Sequence, residues 1–375
     1  MKVIIVGNGP TTTKDGHFYK DKHTAHFLKD AAGLFKATSW LEPVVSIRDL
    51  EKGNLLASEI DSRVALLNKA TVRHGRFGKV FDYLRLFSLF LAEARRSDCV
   101  YLFFNGHLPW LCALTSVLVR KRFGLYIRCD FTPRNFFDRM IVTHAHFILA
   151  NGEELVSRVR PFNPRVNLVA PMIDFSADDL FTRDVDRFGK AIKLLFVGRL
   201  ERAKGVYVLL DAVSILYKKD IVISLDVVGG GAEYDALVEY STRLGISKSV
   251  HFHGLIKDKD KLKKMYQGAD IFVLPSFNEG FPRVVYEAML SSLPIITTAV
   301  GSIPSLLVHE KSALFVPKND SNALADAIEV LIRNSQLRKI LSDGSACAIL
   351  EYLSRFDVTH AMQVKKQFGE KIASV

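Results

Sequence analysis

The fold is decided by the segment 271–289, which reads IFVLPSFNEGFPRVVYEAM. Its first four residues, Ile271–Leu274, are all apolar and predict a buried strand, and the polar turn after them runs into a stretch with helical spacing. Pro282 suits the first turn of that helix, where its missing N–H costs nothing, so the helix N-terminus is expected near 281–282. Free backbone N–H groups and the positive end of the helix dipole then form an anion site at the end of a strand.

The same alternation of short apolar runs and longer amphipathic stretches continues on both sides of this segment. Such a pattern is typical of βαβ units and a parallel sheet. In the first half, the predicted strands are Val3–Val6, Val44–Ile47, Val100–Phe104, Leu125–Arg128, Phe147–Ala150 and Asn167–Ala170. In the second half, they are Lys193–Val197, Ile223–Val228, Val250–His253, Ile271–Leu274, Pro294–Thr298 and Ala313–Val316.

The predicted strands form two successive series. The chain of 375 residues is also longer than a single hydrophobic core usually supports. A polar stretch of mixed charge at 174–190 separates the two series. We therefore predict an α/β protein with two doubly wound, Rossmann-like domains, 1–177 and 190–350, that face each other across a cleft. In open α/β sheets, ligands bind beyond the carboxyl ends of the strands, so the loops at those ends are the candidates for chemistry.

The net charge of the chain is unevenly distributed. Residues 1–175 hold 25 basic and 16 acidic side chains, whereas residues 176–375 hold 26 and 24. This asymmetry favours an anionic partner for the first half, which could be nucleic acid, a membrane surface or a phosphorylated substrate. Ordinary surface solubility explains the same charge. An apolar content of 49% excludes a disordered polymer.

Cysteine spacing predicts neither a zinc site nor a disulfide framework, because no C-x-x-C pair occurs. The four cysteines are Cys99, Cys112, Cys129 and Cys347. A reducing cytoplasm fits this pattern, and the first apolar run is too short for a signal peptide. Residues 100–119 lack Lys, Arg, Asp and Glu and formally match a membrane span. Asn105, Gly106 and Pro109 interrupt that stretch and favour a strand, a turn and a helix instead.

Two loops at predicted strand ends carry candidate phosphate ligands. Arg199 follows one strand and Lys204 precedes the next helix. A guanidinium fork and an ammonium both suit a doubly charged phosphate, although a solvated basic turn would have the same residues. Gly7 and Gly9 open like a dinucleotide fingerprint, but the third glycine is missing. Gly9 is therefore either a phosphate contact or part of a tight turn.

Two carboxylates flank the predicted helix N-terminus of the opening segment. Glu279 precedes it, and Glu287 lies about one and a half turns inside the helix. One carboxylate in such a place can act near a reacting centre, while the other accepts hydrogen bonds from ligand hydroxyls. A bare E-x7-E spacing arises by chance in a chain of this length, so the strand, turn and helix around it carry the argument.

Together these segments resemble the retaining GT-B glycosyltransferases, specifically the large family 4 group, also called glycosyl transferases group 1. The matching stretches are Phe196–Leu200, Lys204-Gly205, Val228–Gly231, His251–Gly254, Ala269–Ser276, Glu279–Ala288, Leu293–Ile296 and Val300–Pro304. The resemblance is strong over 192–332 and weak before 166. It implies a GT-B fold whose C-terminal helix, at 351–375, packs back on the first domain.

The resemblance implies transfer of a sugar from a nucleoside diphosphate sugar to an acceptor hydroxyl, with retention of the anomeric configuration. It assigns the donor diphosphate to Arg199 and Lys204, the donor sugar near the reaction centre to Glu279, and the nucleotide ribose to Glu287. The catalytic residues are then Glu279, Arg199 and Lys204, and neither a cofactor nor a metal is expected. Further donor contacts are implied for the backbone amides of Gly280, Phe281 and Val284.

One stretch departs from the family pattern. Tyr126–Asp130, which contains Arg128 and Cys129, occupies the place where the family usually has a histidine after a strand of the first domain. Either the acceptor or sugar contacts differ, or another residue such as His107 takes that role. A structural histidine is the simpler interpretation of His107.

A rival hypothesis is a catalytically inactive GT-B scaffold that acts as a peripheral membrane binding protein. Residues 69–96 interleave basic and apolar side chains, as in a basic amphipathic surface helix, although a core-packed helix behind a basic loop fits as well. Nucleic-acid binding lacks support, because no basic run interleaved with aromatic residues lies on a predicted strand platform. We expect a cytoplasmic enzyme of cell-surface polysaccharide or glycolipid biosynthesis, peripheral at the inner face of the membrane. Its acceptor would be a glycan, lipid-linked or otherwise acidic.

Overall fold

The computed structural model describes residues 1–46, 57–72, 76–104, 106–128, 131–173, 175–184, 192–280 and 282–369. The chain divides into two compact units. Among the described residues, unit 1 runs from the N-terminus to 172 and includes 357–369, and unit 2 comprises those from 173 to 356.

Unit 1 is built around a seven-stranded parallel sheet. Its strands, and those of a smaller sheet beside it, are β1 (Lys2–Val6), β2 (Thr11–Lys14), β3 (His17–Asp21), β4 (Ala37–Leu41), β5 (Val44–Ser46), β6 (Ala57–Glu59), β7 (Val64–Leu66), β8 (Cys99–Phe103), β9 (Phe123–Ile127), β10 (Phe147–Ala150) and β11 (Val166–Leu168). The order in the main sheet is β11-β10-β9-β8-β1-β4-β7, and the smaller sheet has the order β5-β2-β3-β6.

Helices cover both faces of the main sheet in unit 1. They are α1 (Lys22–Leu34), α2 (Arg76–Arg96), α3 (His107–Leu118), α4 (Phe136–His144) and α5 (Glu153–Val159). Successive residues of β1 enter different cores: Ile4 packs with residues of α2 to α5, and Ile5 packs with residues of α1. Because both faces are buried, the central strands are continuous apolar runs without polar alternation, and this pattern made them predictable.

Unit 2 contains a second, six-stranded parallel sheet with the order β14-β13-β12-β15-β16-β17. Its strands are β12 (Ile192–Val197), β13 (Ile223–Val228), β14 (Val250–Gly254), β15 (Ile271–Leu274), β16 (Ile295–Thr297) and β17 (Leu314–Phe315). Its helices are α6 (Val206–Lys218), α7 (Tyr234–Arg243), α8 (Lys259–Gly268), α9 (Arg283–Leu290), α10 (Ile303–Leu306), α11 (Ser321–Arg333) and α12 (Ser335–Ser354). Two Rossmann-like parallel sheets with flanking helices confirm the predicted fold class.

One predicted strand of unit 1 lies in a different sheet from the one expected. The stretch Val44–Ser46 belongs to the small sheet, while β4 pairs with β1 in the main sheet. The apolar pattern did not predict β4, because it contains the polar residues Thr38 and Ser39. Both are nevertheless buried. Ser39 tolerates burial because its hydroxyl donates a 2.7 Å hydrogen bond to Glu93 of α2. Ile47, the last residue of the predicted strand, lies outside the described residues.

The described part of the connection between the two series packs on unit 2. Phe181 donates its backbone N–H to the carbonyl of Leu290, and Arg183 donates to the carbonyls of Tyr266 and Ala269. Unit 2 therefore includes the residues at 175–184. Asp174 and 185–190, also part of the predicted joint, lie outside the described residues.

The C-terminal stretch forms two helices that belong to different units. The helix α12 ends at Ser354 in unit 2, and α13 (His360–Gln367) packs against α1 in unit 1. None of the helices in the described ranges combines the length and hydropathy of a bilayer span. The candidate span at 100–119 is instead strand β8 followed by helix α3.

Candidate functional site at the carboxyl edge of the second sheet

Lys204 and Glu279 are in direct contact at the carboxyl edge of the sheet in unit 2. They belong to the loops that follow β12 and β15, which are neighbouring parallel strands, so both loops leave the sheet at the same edge. The Lys204 ammonium donates to both oxygens of the Glu279 carboxylate, at 2.7 and 2.8 Å. Only 17% and 6% of these two side chains are exposed. Ser276 adds a hydroxyl hydrogen bond to Glu279 Oε1 at 2.7 Å, so the carboxylate is held from two sides.

The loop that carries Glu279 is clamped between two glycine positions. At Gly205 (φ +71°), a Cβ would lie 2.1 Å from the carbonyl oxygen of Pro275, and at Gly301 (φ +55°), it would lie 1.7 Å from that of Glu279. Only glycine permits both this backbone conformation and this approach. Ser302 donates its hydroxyl to the carbonyl of Gly280 at 2.7 Å. The backbone around Glu279 is therefore fixed by the loops that follow β12 and β16.

The helix α9 begins directly after this loop. Pro282 is its N-cap residue, and no side chain caps the helix. The N-terminal turn of a helix carries the positive end of its dipole. In α9, the Val285 N–H already donates to the Pro282 carbonyl at 2.9 Å. Val284 lies in this first turn and Gly280 is exposed just before it, whereas Phe281 lies outside the described residues. The predicted position of the helix start is confirmed.

Glu287 is buried inside α9 and hydrogen-bonded from a neighbouring helix. The Tyr266 hydroxyl of α8 donates to Glu287 Oε2 at 2.8 Å. Burial, and then the nearby Glu287 carboxylate, raise the pKa of Tyr266 well above its usual value, so the phenol stays a donor. The contact orients the carboxylate that the sequence predicted as a ribose ligand.

Arg199 lies in the loop after β12 but is paired elsewhere. Its Nη1 donates to Glu201 Oε1 at 2.8 Å, and 64% of its side chain is exposed. The structure therefore brings Lys204 and Glu279 together and leaves Arg199 in a surface ion pair. Such a pair contributes about 0–1 kcal/mol, so it opposes rearrangement toward an anion only weakly.

Gly9 belongs to unit 1, and its amide already has a partner. It donates to Glu42 Oε1 at 2.7 Å, and the Glu42 carboxylate is buried beside the Lys20 ammonium at 2.6 Å. This internal contact leaves the backbone N–H of Gly9 unavailable to a phosphate as long as it persists. A donor contact of Gly9 stays a prediction.

The stretch that departs from the family pattern is described in part. Arg128 follows β9 and donates to Asn8 Oδ1 at 2.5 Å, while Cys129 and Asp130 lie outside the described residues. His107 is the first residue of α3 and is exposed. Among the described residues, no group of three or more His, Cys, Asp or Glu side chains is arranged to hold a metal ion.

Sequence reasoning missed the residues that hold the carboxylates in place. Ser276 and Ser302 lie inside stretches that carry the family resemblance, so their position was a usable signal. Tyr266 lies in a helix with no recognisable pattern around it. Its contact with Glu287 depends on the packing of α8 beside α9, which only the tertiary structure shows.

The strand-end site and the fold around it agree with the comparisons with known proteins. Residues 179–345 match the family model of glycosyl transferases group 1. The resemblance found in the sequence is confirmed.

One curated relative is the D-inositol 3-phosphate glycosyltransferase of Corynebacterium urealyticum. It is 30% identical over 234 residues, which cover 56% of this chain and 54% of the relative. A second, from Corynebacterium jeikeium and of the same description, is 30% identical over 252 residues, 62% and 60% of the two chains. The chain thus spans little more than half the length of these relatives.

Among solved structures, the Anabaena protein HepE in complex with UDP is similar over 98% of this chain and 99% of its own. The TM-score is 0.68 and the sequence identity 19%. At this identity the likeness shows the fold, which is that of the GT-B glycosyltransferases.

Proposed function

We propose that this protein is a retaining glycosyltransferase that moves a sugar from a nucleoside diphosphate sugar to an acceptor hydroxyl. The observation that carries the proposal is the contact between Lys204 and Glu279 beside the N-terminus of α9. It combines a cation, a carboxylate and the N-terminal turn of a helix at the carboxyl edge of a parallel sheet, where nucleotides bind in such folds. The family match over 179–345 and the glycosyltransferase relatives support it.

The departing nucleoside diphosphate carries the charge that is hardest to stabilise in this reaction. Lys204 and the amides at the start of α9 would stabilise it as it develops, which is electrostatic preorganisation. An ammonium has three N–H donors, so the two contacts with Glu279 leave capacity for a phosphate oxygen. Arg199 would exchange its surface partner Glu201 for the diphosphate, to which its planar fork is better suited.

In the proposed step, the acceptor oxygen attacks the anomeric carbon from the face that the diphosphate leaves. The new C–O bond forms while the bond to the phosphate oxygen breaks, and the acceptor proton passes to that departing oxygen. Glu279 would contact the donor sugar near the anomeric carbon and keep it oriented. Its two hydrogen-bonded neighbours, Lys204 and Ser276, hold it in a single geometry for this role.

The nucleotide would lie along the loop and helix that follow β15. Glu287 would accept hydrogen bonds from the ribose hydroxyls, and the amides of Gly280 and Val284 would donate to sugar or phosphate oxygens. We retain Phe281 and Gly9 as further proposed contacts of the donor.

The experiment that tests the activity is a thermal-shift screen with UDP-, GDP- and ADP-sugars, followed by NMR of the product with the donor that stabilises the protein most. We expect a product with the anomeric configuration of the donor. An inverted product would overturn the retaining assignment. We also propose that turnover needs no added metal, so it should persist in excess EDTA; loss on chelation that manganese restores would contradict this.

We further propose that unit 1 contacts an anionic membrane surface, which would place a glycan or lipid-linked acceptor beside the enzyme at the cytoplasmic face. The supporting observation is the exposure of Val80, Phe81 and Leu84, at 58%, 62% and 61%, on one face of α2 with Lys79 beside them. An apolar face edged by basic residues suits an interfacial helix.

Flotation with phosphatidylglycerol vesicles should carry the protein, and phosphatidylcholine vesicles should carry much less. Phe81→Asp should reduce flotation, and unchanged flotation of this variant would overturn the assignment of α2. Vesicle binding without turnover on any nucleotide sugar would favour the rival hypothesis of an inactive scaffold.

A further inference from the structure

Arg128 forms a second, separate cationic centre, located at the carboxyl edge of the sheet in unit 1. It follows directly after β9, and its side chain is half-buried. The guanidinium carbon lies 5.3 Å from the centre of the Phe103 ring and 5.6 Å from that of the Tyr126 ring. Cation–π contacts of this kind hold the planar group against β8 and β9.

A neutral amide fixes the orientation of this guanidinium. Arg128 Nη2 donates to Asn8 Oδ1, at 2.5 Å. Within the described part of the chain, Arg128 takes part in no ion pair, so its positive charge is not neutralised there. Burial, and then the charge of Arg128, lower the pKa of His360 to about 3.

The loop that contains Asn8 is anchored by the buried side chains of Glu42 and Lys20. Glu42, at 1% exposure, accepts hydrogen bonds from the Gly9 amide at 2.7 Å and the Thr11 hydroxyl at 2.9 Å. Lys20 joins the same carboxylate at 2.6 Å and donates to the carbonyl of Pro10 at 3.0 Å. This buried, hydrogen-bonded pair holds the backbone of the loop beside Asn8.

We propose that Arg128 is a specificity-determining residue that binds an acidic group, a carboxylate or a phosphate, on the acceptor. This inference rests on the proposed function, since it assumes that unit 1 binds the acceptor. A guanidinium has five N–H donors. Since one of them donates to Asn8, four remain, which is enough for a bidentate contact with either acid. The two aromatic rings and Asn8 orient the guanidinium, and none of these three neighbours supplies a negative charge.

The test measures binding, not turnover, by isothermal titration of the full chain with D-glucuronate, D-glucose 6-phosphate and D-glucose. We expect the wild type to bind at least one charged sugar about tenfold or more tightly than glucose. The glucuronate and phosphate arms distinguish the two acids. Arg128→Gln should abolish the preference, and Arg128→Lys, which keeps the charge without the fork, should retain part of it.

Two matched variants separate recognition from structure. Asn8→Asp keeps a hydrogen-bond acceptor for Arg128 but adds a competing carboxylate, so the protein should stay folded and lose the charged sugar. Arg95→Gln removes the same charge from an exposed position at the end of α2 and should leave binding unchanged. Binding that survives Arg128→Gln but falls in Arg199→Gln would belong to unit 2.

The proposal is overturned if no charged probe binds more tightly than glucose, or if Arg128→Gln binds it as the wild type does. Failure of the proposed function has a different signature. In that case, no nucleotide sugar is turned over, while the Arg128-dependent binding of a charged sugar persists.

Discussion

The Lys204 ammonium and the Glu279 carboxylate share two hydrogen bonds across the gap between two neighbouring strand-end loops. Because both side chains are largely buried, neither can lose its partner without leaving a charge poorly compensated. The pair therefore couples the geometry of the proposed diphosphate site to that of the proposed sugar site. We therefore expect a substitution of Lys204 to disturb the position of Glu279, and a substitution of Glu279 to disturb that of Lys204.

Replacing Lys204 by alanine should reduce kcat/KM by about 100-fold to 1000-fold, because a cation aimed at developing charge is lost. The melting temperature should also fall by a few degrees, since Glu279 keeps only Ser276 of the hydrogen-bond partners described here. Lys204→Arg should recover stability better than turnover. The control is Lys218→Ala, which removes an exposed lysine of α6 in the same unit. Equal turnover of the Lys204 and Lys218 variants would contradict the assignment.

Arg199→Gln should raise KM for the nucleotide sugar and lower kcat/KM about tenfold or more, with little change in melting temperature, because Arg199 is exposed and its ion pair is weak. Arg202→Gln is the matched control, since Arg202 is also exposed and lies in the same loop, near Glu233. The measurement is steady-state kinetics of both variants, in which KM and kcat/KM for the nucleotide sugar are compared. A similar loss in both would point to the general field of the loop and not to a specific contact.

Gly301→Ala should displace the loop that carries Glu279, because the new Cβ would clash with the Glu279 carbonyl at a backbone angle unfavourable to alanine. We expect a lower melting temperature together with reduced turnover. Gly268→Ala is the control: nothing lies within 4 Å of its Cβ position, at the end of α8, and alanine favours the helix by up to about 1 kcal/mol. A crystal structure of Gly301→Ala with an unmoved Glu279 would refute the clash argument.

Tyr266→Phe removes the hydroxyl that orients Glu287. The loss of this buried hydrogen bond should cost about 1–3 kcal/mol of stability. If Glu287 binds the ribose, KM for the nucleotide sugar should rise more than kcat falls. Tyr217→Phe, at an exposed position of α6, serves as the control in both denaturation and kinetic measurements. Unchanged nucleotide affinity in Tyr266→Phe would argue against the ribose role.

Unit 1 should lose stability in acid through His360, which is buried and lies 2.7 Å from the Tyr101 hydroxyl. Burial, and then the charge of Arg128, lower its pKa to about 3, whereas the unfolded chain has its ordinary value near 6.5. Between these values the unfolded state binds a proton that the folded state does not, so the free energy of unfolding falls as the pH falls. The expected slope from this residue is about 1.4 kcal/mol per pH unit.

Chemical denaturation between pH 7 and pH 4, compared with His360→Gln, isolates this contribution. The variant should be less stable at neutral pH and should show a shallower dependence on pH. Equal slopes in the two proteins would mean that His360 is not the group responsible.

The strands of both parallel sheets are predictable from the amino-acid sequence wherever they are continuous apolar runs, because burial on two faces excludes polar alternation. The sequence also determined which loops meet at the carboxyl edge in unit 2, since parallel strands all end on the same side. The segment 271–289 thus predicted its own strand, turn and helix start. Strand β4 is evident only in the tertiary structure, because Thr38 and Ser39 interrupt its apolar run although both side chains are buried.

The tertiary structure also decided which side chains pair, because pairing depends on distances between residues far apart in the chain. Lys204 is paired with Glu279, and Arg199 is paired with Glu201. The Gly9 amide donates to Glu42. Each of these contacts is set by how loops from separate strands pack against one another, and no local pattern of residues encodes that packing.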